Sequence, residues 1–532
     1  MAAAIVMNRK CNFDFRTDGE AETHVENSVP CLLPDIGRRQ SGAIGLLPIA
    51  FCLLLSATSC MVGPNYKRPP APVPAAFKES PTANPEAINR WKPAQPNEGA
   101  VRGKWWEIYN DPQLNALEEQ VSISNQNVLM AAAQFREAAD AVRIARSSLF
   151  PTITTSPSVT RSESSSTLFN VSVGNLTGEQ RNVFDLPGSI SYTADIWGSI
   201  RRSVNGSAAT AQATFAQLEN ARLSYQAALA GDYFELHGTD GDEDLLEATV
   251  KSYQDYLKLT QDRFNSGVAS GADVAQAQTQ LDTAQAQLID YGVARAQYEH
   301  AIAILIGKPP AEVSIAASPI KIVPPPVPVG VPSTLLQRRP DIAAAERQMA
   351  AQNEEIGIAK AAYYPSLTLS GSGGFEGGQF YDWFTWPSHF WSLGPTLAET
   401  VFDAGRRHAQ LAEARDAYNA TVANYRQTVL TAFQQVEDNL AALRVLENEA
   451  AAEDAAVKAA QNALDISTYQ YKAGTVDYLS VITEQAILLS DQVQAVNILT
   501  RRMTASVLLV EALGGGWDAS ALPTTTDLIR GK

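Results

Sequence analysis

The feature that most constrains this chain is that it is written twice. The run Ile144 to Pro151 (IARSSLFP) is answered by Ile358 to Pro365 (IAKAAYYP) at an offset of 214. Asp195 to Gly198 (DIWG), running into Arg201 and Arg202, is answered by Phe402 to Gly405 (FDAG), running into Arg406 and Arg407, at an offset of 207. The same 207 separates Gly267 from Gly474 and Gly307 from Gly514. The seven-residue change therefore falls between Pro151 and Gly198, and two copies of one supersecondary unit are expected, joined by a Pro-rich linker at 309–340.

Within each copy the hydrophobic period changes once. Between Pro151 and Gly198, Ile190, Tyr192, Ala194 and Ile196 alternate with Ser191, Thr193 and Asp195. Leu367, Leu369, Gly371, Gly373 and Phe375 repeat this in the second copy. That is strand spacing with one wet face, the weak dyad signal of a membrane strand. Phe380, Tyr381, Trp383, Phe384, Trp386, Phe390 and Trp391 crowd the second hairpin, as an interfacial girdle would. A soluble hairpin with an apolar tip is the alternative. From Gly198 to Gly267 and from Gly405 to Gly474 no proline interrupts a helix-forming composition, which predicts helices of about 100 Å. Two coiled-coil seams follow. One is Val274, Ala277, Leu281, Ala284, Leu288 and Tyr291, with Tyr298, Ile302 and Leu305 beyond a break at Arg295; the other is Leu479, Ile482, Ala486, Leu489, Val493 and Val496, then Met503, Val507 and Val510.

Cysteines stand at 11, 31, 52 and 60 and nowhere later, so the body has no disulfide and no thiolate metal site. Arg38 and Arg39 precede the apolar stretch Ala43 to Leu55, which ends in Ser56-Ala57-Thr58-Ser59-Cys60, the layout of a lipoprotein signal with Cys60 as acceptor. A buried apolar helix is the alternative, and the stretch is short for a membrane span. Residues 1–37 carry no targeting logic, so a translation start further in is expected. Met61 after Cys60, in place of Asp, leaves delivery to the outer membrane open. Residues 60–98 are rich in proline and read as an extended tether.

The chain thus divides into an export leader (1–59), a lipid-anchored tether (60–113), a first repeat (114–308; strands within 152–197, long helix 198–267, return helix 271–306), the linker (309–340), a second repeat (341–514; strands within 366–403, long helix 404–473, return helix 475–513) and a tail (515–532). Two hairpins give four strands per chain, and in lipid an open sheet leaves unpaired N–H and C=O groups at both edges. Three chains give twelve strands and a lumen, where two would give eight with a filled interior. The expected fold is an α+β membrane protein, a homotrimer with a 12-stranded β-barrel and a 12-helix α-barrel.

Cys60-Met-Val-Gly-Pro-Asn-Tyr-Lys-Arg-Pro69 resembles the mature start of NodT-type lipoproteins of the TolC-like outer-membrane efflux family. The resemblance extends to Ala512-Leu-Gly-Gly-Gly-Trp517. It implies a passive, lipid-anchored outer-membrane duct extending into the periplasm, docked on a membrane-fusion adaptor and driven by an inner-membrane transporter of the resistance-nodulation-division class. It also implies that the two helix–helix turns form the tunnel tip: adaptor contacts at Gly267, Val268, Ala269, Gly474, Thr475 and Val476, and an aperture at Asp273, Asp477, Leu479 and Thr483. The sequence departs from the family at Ala272, where a large apolar residue is common, and at Thr483, where Asp often stands. On composition alone, Gly ends a helix there and Asp complements the dipole of the next. Arg201, Arg202, Arg406 and Arg407 begin the long helices and read as solvated helix charge, with the lumen mouth or the lipid headgroup level as the alternative. A type I protein-secretion channel and a non-conducting coiled-coil lipoprotein are the other readings.

A net charge of −16, from 41 basic and 57 acidic residues, argues against nucleic acid. The histidines at 24, 237, 300, 389 and 408 have no metal-ligand spacing, and no nucleophile elbow, Walker loop or dinucleotide fingerprint occurs. No catalytic site, cofactor or metal is expected.

Overall fold

The computed structural model describes residues 61–79, 103–163, 180–327, 329 and 332–530. The expected leader, Cys60, residues 80–102 of the expected tether and residues 164–179 lie outside them. The first copy opens with capped helices. Asp111 accepts from the N–H groups of Gln113 and Leu114 to start α1 (Pro112–Ser124), with proline in the first turn where no donor is needed. Asn125 does the same for α2 (Gln126–Ser147) through Asn127 and Val128.

The sheet follows. β1 (Thr152–Thr155) and β2 (Ser158–Glu163) both pair antiparallel with β3 (Gln180–Ala194) in one continuous register, interrupted where Ser156 and Pro157 face Leu186 and Pro187 and two prolines remove donors. They act as one strand. After α3 (Ser199–Asn265), α4 (Gly271–Leu305) and α5 (Pro340–Ala361), β4 (Ser366–Gly377) pairs with β3 and β5 (His389–Ala398) with β4. Ile196 is not part of this pattern: β3 ends at Ala194, and Asp195 turns its carboxylate onto the N–H groups of Ile200 and Arg201 to cap α3.

α6 (Arg406–Ala473) and α7 (Tyr478–Ala512) complete the second copy. The long helices have 67 and 68 residues, about 100 Å each. Glycines at positive φ punctuate both copies at the same offset: Gly198 and Gly405, Gly267 and Gly474, Gly307 and Gly514. The last pair closes each repeat. A Cβ on Gly307 would stand 2.1 Å from the Ser124 carbonyl oxygen, and one on Gly514 2.1 Å from that of Arg338. Asn125 Nδ2 donates to the Leu305 carbonyl at 2.8 Å, and Arg339 to that of Ala512 at 2.9 Å. Offsets of 214 and 207 both hold here, so the duplication extends to individual hydrogen bonds.

The main core lies along the helices, where Trp105, Tyr109 and Leu114 meet Phe234, Ile302, Ile342, Met349, Tyr425, Val429, Met503 and Val507. On α4 the seam residues Ala277, Leu281, Ala284 and Ile302 are buried as expected from the spacing. Its break at Arg295 is a staple: the guanidinium reaches the Asp240 carboxylate at 2.7 Å and the Ile315 carbonyl at 2.8 Å, binding the linker to α3. On α7 the lower seam is displaced by one position. Tyr478, Val481, Gln485 and Leu488 are buried, while Leu479 is 54% exposed. Tyr478 packs inward against the tilted Tyr471 ring, ring centroids 5.4 Å apart, and with Gln485 it places two residues polar by type in the buried stripe.

The tether is held along its first part. Residues 61–79 run extended over α5 and α6: Val62 N–H donates to the Trp197 carbonyl, Tyr66 to Glu346, Arg68 to Tyr425, and the Lys78 and Glu79 N–H groups to Glu437. Phe77 is buried against Phe433. Arg202 corrects the solvated reading: its side chain is fully buried, donating to the Val62 and Pro64 carbonyls and, at 2.8 Å, to Glu354. Gly63 and Gly357 leave the room, since a Cβ on Gly357 would fall 2.1 Å from Arg202 Cδ. Arg201 and Arg407 are also paired, with Asp195 and Asp403. The tail docks too: Leu528, on a last helix Thr525–Arg530, packs with Val142, Val204 and Ala208.

Candidate functional site

Two regions carry the features a channel needs. In the part of the sheet next to the long helices, cross-strand rows of apolar and of hydroxyl residues alternate. Ile153, Ile190, Gly371 and Leu393 form one row; the next is Thr154, Ser189, Ser372 and Ser392. Thr152, Ser191, Ser370 and Gly394 follow on the hydroxyl face, and Thr193, Thr368 and Thr396 beyond them. Tyr192, Leu369 and Pro395, then Ala194, Leu367 and Leu397, continue the apolar face.

This face is bare in the protomer, with Ile153 76%, Leu393 78% and Trp391 72% exposed. Burying such rows in water-free surroundings is favourable, whereas leaving them in water is not. The opposite face offers water or a polar solute a track of hydroxyls, with the charges Arg181, Asp185 and Glu376 confined to the end near the hairpin tips. Both sheet edges, β1/β2 and β5, lack a partner strand among the described residues. At the β4–β5 turn, Trp383 stacks on Phe384 and packs against Phe184, and Trp386 lies parallel to His389. Of the expected girdle, Phe390 turns to the hydroxyl face instead, opposite Gly374. No described helix is long and apolar enough to cross a membrane.

The second region is the far end of the helices. Gly267 and Gly474, both in the left-handed region, reverse the chain. Val268 is 65% exposed, and Thr475 is exposed with its hydroxyl on the Gln470 carbonyl. Ala269 is half-buried, and its counterpart Val476 packs against the Tyr471–Tyr478 cluster. The two aspartates are caps. Asp273 closes a reciprocal box with Ser270, each side chain accepting the other's N–H; Asp477 accepts from the N–H and hydroxyl of Ser480. With the 207 offset, Ser270 corresponds to Asp477 and Asp273 to Ser480, so the copies exchange carboxylate and hydroxyl between the same two helix positions. The carboxylates therefore sit three residues apart in helix terms, about 4.5 Å along the axis. Thr483 is exposed and bonded back to the Leu479 carbonyl, a local bond on its own helix.

Sequence reasoning missed the contact that joins the two hairpins here. Arg263 donates to the Tyr471 carbonyl at 2.9 Å and lies over the Tyr471 ring, 4.6 Å from its centroid. The Thr260 and Tyr471 hydroxyls are 3.3 Å apart, and those of Tyr256 and Thr468 2.8 Å. The available signal was a mismatch between copies: Arg263 corresponds to Gln470, so an arginine occurs in one copy alone. Higher on α3, burial pushes Asp240 up, but hydrogen bonds from His237, the Ser318 N–H and Arg295 outweigh it and hold the carboxyl below its ordinary value. Two residues on, Asp242 has one oxygen without a partner, and burial pushes it up to about 6. Among the described residues no three metal-binding side chains cluster.

The family described as outer membrane efflux protein matches residues 117–308 and 331–515, leaving out most of the linker between the copies. The probable efflux pump outer membrane protein TtgC of Pseudomonas putida is 30% identical over 466 residues, 86% of this chain and 93% of that protein. Nodulation protein T of Rhizobium leguminosarum bv. trifolii is 29% identical over 484 residues, 88% and 97% of the two chains. The solved outer-membrane channel OprN superposes with a TM-score of 0.77 at 28% identity, covering 86% of this chain and all of that one. With nearly all of both repeats inside the matched segments, the chain belongs to the outer membrane efflux protein family.

Proposed function

We propose that this protein is the outer-membrane channel of a tripartite efflux pump, a passive duct through which small molecules leave the cell without chemistry. Three copies close the sheet into a twelve-stranded barrel, with the Ser/Thr rows toward the lumen and the Ile/Leu rows toward lipid. The long helices continue it as a twelve-helix periplasmic tube. An acyl anchor on Cys60 holds each copy to the outer membrane. The turns at Gly267, Val268, Ala269, Gly474, Thr475 and Val476 meet a periplasmic membrane-fusion adaptor, and an inner-membrane transporter of the resistance-nodulation-division class drives export. Asp273 and Asp477, with Leu479 and Thr483, line the aperture; a ring of carboxylates favours cations.

The observation that carries this reading is the row-by-row alternation of a sheet with two unpaired edges. A four-stranded sheet clad in isoleucine and leucine on one side needs hydrocarbon against that side and further strands at its borders. A non-conducting coiled-coil lipoprotein has no use for the hydroxyl rows. Purified protein in detergent should cross-link as a trimer and give discrete conductance steps in planar bilayers. A monomer that leaves the bilayer silent would overturn the proposal.

A further inference from the structure

We propose that the lipid-facing side of the sheet holds a seat for an acyl chain carried on Cys60, and that this seat is the glycine-floored dent beside Trp391. The inference rests on the lipid-anchored reading above. Three neighbouring outward positions have no side chain: Gly188 and Gly373 are register partners, and Gly371 lies one row below on the same face. A Cβ on Gly373 would meet nothing nearer than 3.4 Å, whereas Ile190 and Leu393 lean toward Gly371 from either side. Ile153, Ile190, Leu393 and Trp391 wall the hollow, and its lining is almost wholly apolar. The hollow is a shallow trough for an unbranched hydrocarbon chain, with no group to hold a polar ligand.

The position of the chain's start singles out the occupant. Met61 lies against Gly198, where a Cβ would come within 2.6 Å of its Cγ, and Val62 N–H is fixed to the Trp197 carbonyl. The residue after Cys60 is thus fastened below the foot of β3, the strand that supplies Gly188 and Ile190. The buried Arg202, bonded to the Val62 and Pro64 carbonyls, keeps it there. From Ala194 to Gly188 is about 20 Å along the strand. For a strand tilted by roughly 40° this is about 15 Å of depth. One leaflet of a hydrocarbon core of about 30 Å has that depth. A chain tethered one residue from this point has a high effective concentration at the trough, which bulk lipid of the same chemistry lacks.

The test uses full-length protein made in cells fed a palmitate analogue with a photoreactive diazirine, irradiated in membranes and read by peptide mass spectrometry. The expected product joins the Cys60 peptide to the peptides containing Gly188–Ile190, Gly371–Gly373 or Leu393 of the same chain. Gly373→Leu, which fills the trough, and Trp391→Ala, which removes a wall without adding bulk, should each lower that yield several-fold. Leu397→Ala, on the same face outside the trough, should leave it unchanged. An unmodified Cys60 in the mature protein overturns the anchor and the seat together. An acylated Cys60 whose cross-links spread evenly over Leu369, Leu397 and phospholipid, unaltered in both trough variants, overturns the seat alone.

Discussion

The two long helices correspond residue by residue, yet they occupy different surroundings. α3 buries 26 of its 67 residues, since α2, α4, α5 and α7 pack around it; α6 buries 10 of 68, with Leu430, Val445, Ile466 and Tyr469 left bare. Duplication copied the rod and left its environment to be supplied. The first rod is enclosed by its own chain, and the second has an unclaimed flank that a neighbouring subunit would cover. The copies also dock different segments at mid-height: Asp240 and Arg295 hold the linker, while Glu437 and Arg444 hold the strap at residues 78–79.

The sharpest way to break this comparison is at the closing glycines. Gly307→Val and Gly514→Val each drive a side chain into a backbone carbonyl in the left-handed region, and each should cost on the order of 4 kcal/mol or more. Equal loss of protease-resistant protein would show that both copies close independently; loss with Gly307→Val alone would show that only the enclosed copy matters. Arg202→Ala comes next. It strips the counter-ion from a largely buried Glu354 and two carbonyls of their donor, a loss of about 3 kcal/mol, seen as trypsin cleavage after Lys67. Arg407→Ala in the second copy should leave that bond uncut, because among the described residues its hydrogen bonds go to Asp403 and Thr400 and not to the strap. On the bare flank, Val445→Asp should leave helicity by circular dichroism intact and shift cross-linked trimer toward monomer, whereas Val250→Asp, at a buried position on α3, should unfold the helix packing around it.

The smallest effect is a pH dependence. Asp242 is buried and its folded pKa, about 6, lies above the unfolded value near 3.9. The folded state therefore holds more protons between those values, and this group lowers stability as pH rises through that window and throughout the range above it. Asp242→Asn should raise the unfolding midpoint at pH 7.5 and do nothing near pH 4. Glu449, its counterpart, is half-exposed with Arg501 at 3.6 Å, so Glu449→Gln should give no such gain.

Much of the architecture was legible because prolines and glycines punctuate it. Proline-free runs of helix formers between Gly198 and Gly267 leave few alternatives, and strand alternation at Ser191, Thr193 and Leu367 gives the correct faces. What failed did so for one physical reason, that residue type does not report the partner. Arg202 looks like surface charge until a second segment folds over it. Tyr478 and Gln485 look solvent-facing until packing of Tyr478 against Tyr471 sets the stripe one position over. The Pro-rich segment lacks a period because it is neither helix nor strand, yet its eighteen steps from Met61 to Glu79 span about 56 Å at an extended rise. That matches the roughly 57 Å of α6 between Arg406 and Arg444. At the tip, the capping box at Ser270 was readable, but the Arg263–Tyr471 contact joins residues 208 apart and no local pattern announces it.

The constant 207 along the helices, against 214 before the sheet, limits how such a protein can change size. Adding a turn to α3 alone would lower one hairpin beneath the other, separate Arg263 from Tyr471 and tilt the two glycine bends out of a common plane. Lengthening must therefore occur in matched pairs of insertions. The seven surplus residues of the first copy fall instead between Pro151 and Gly198, before the long helix begins, where they leave the register of the two rods unchanged.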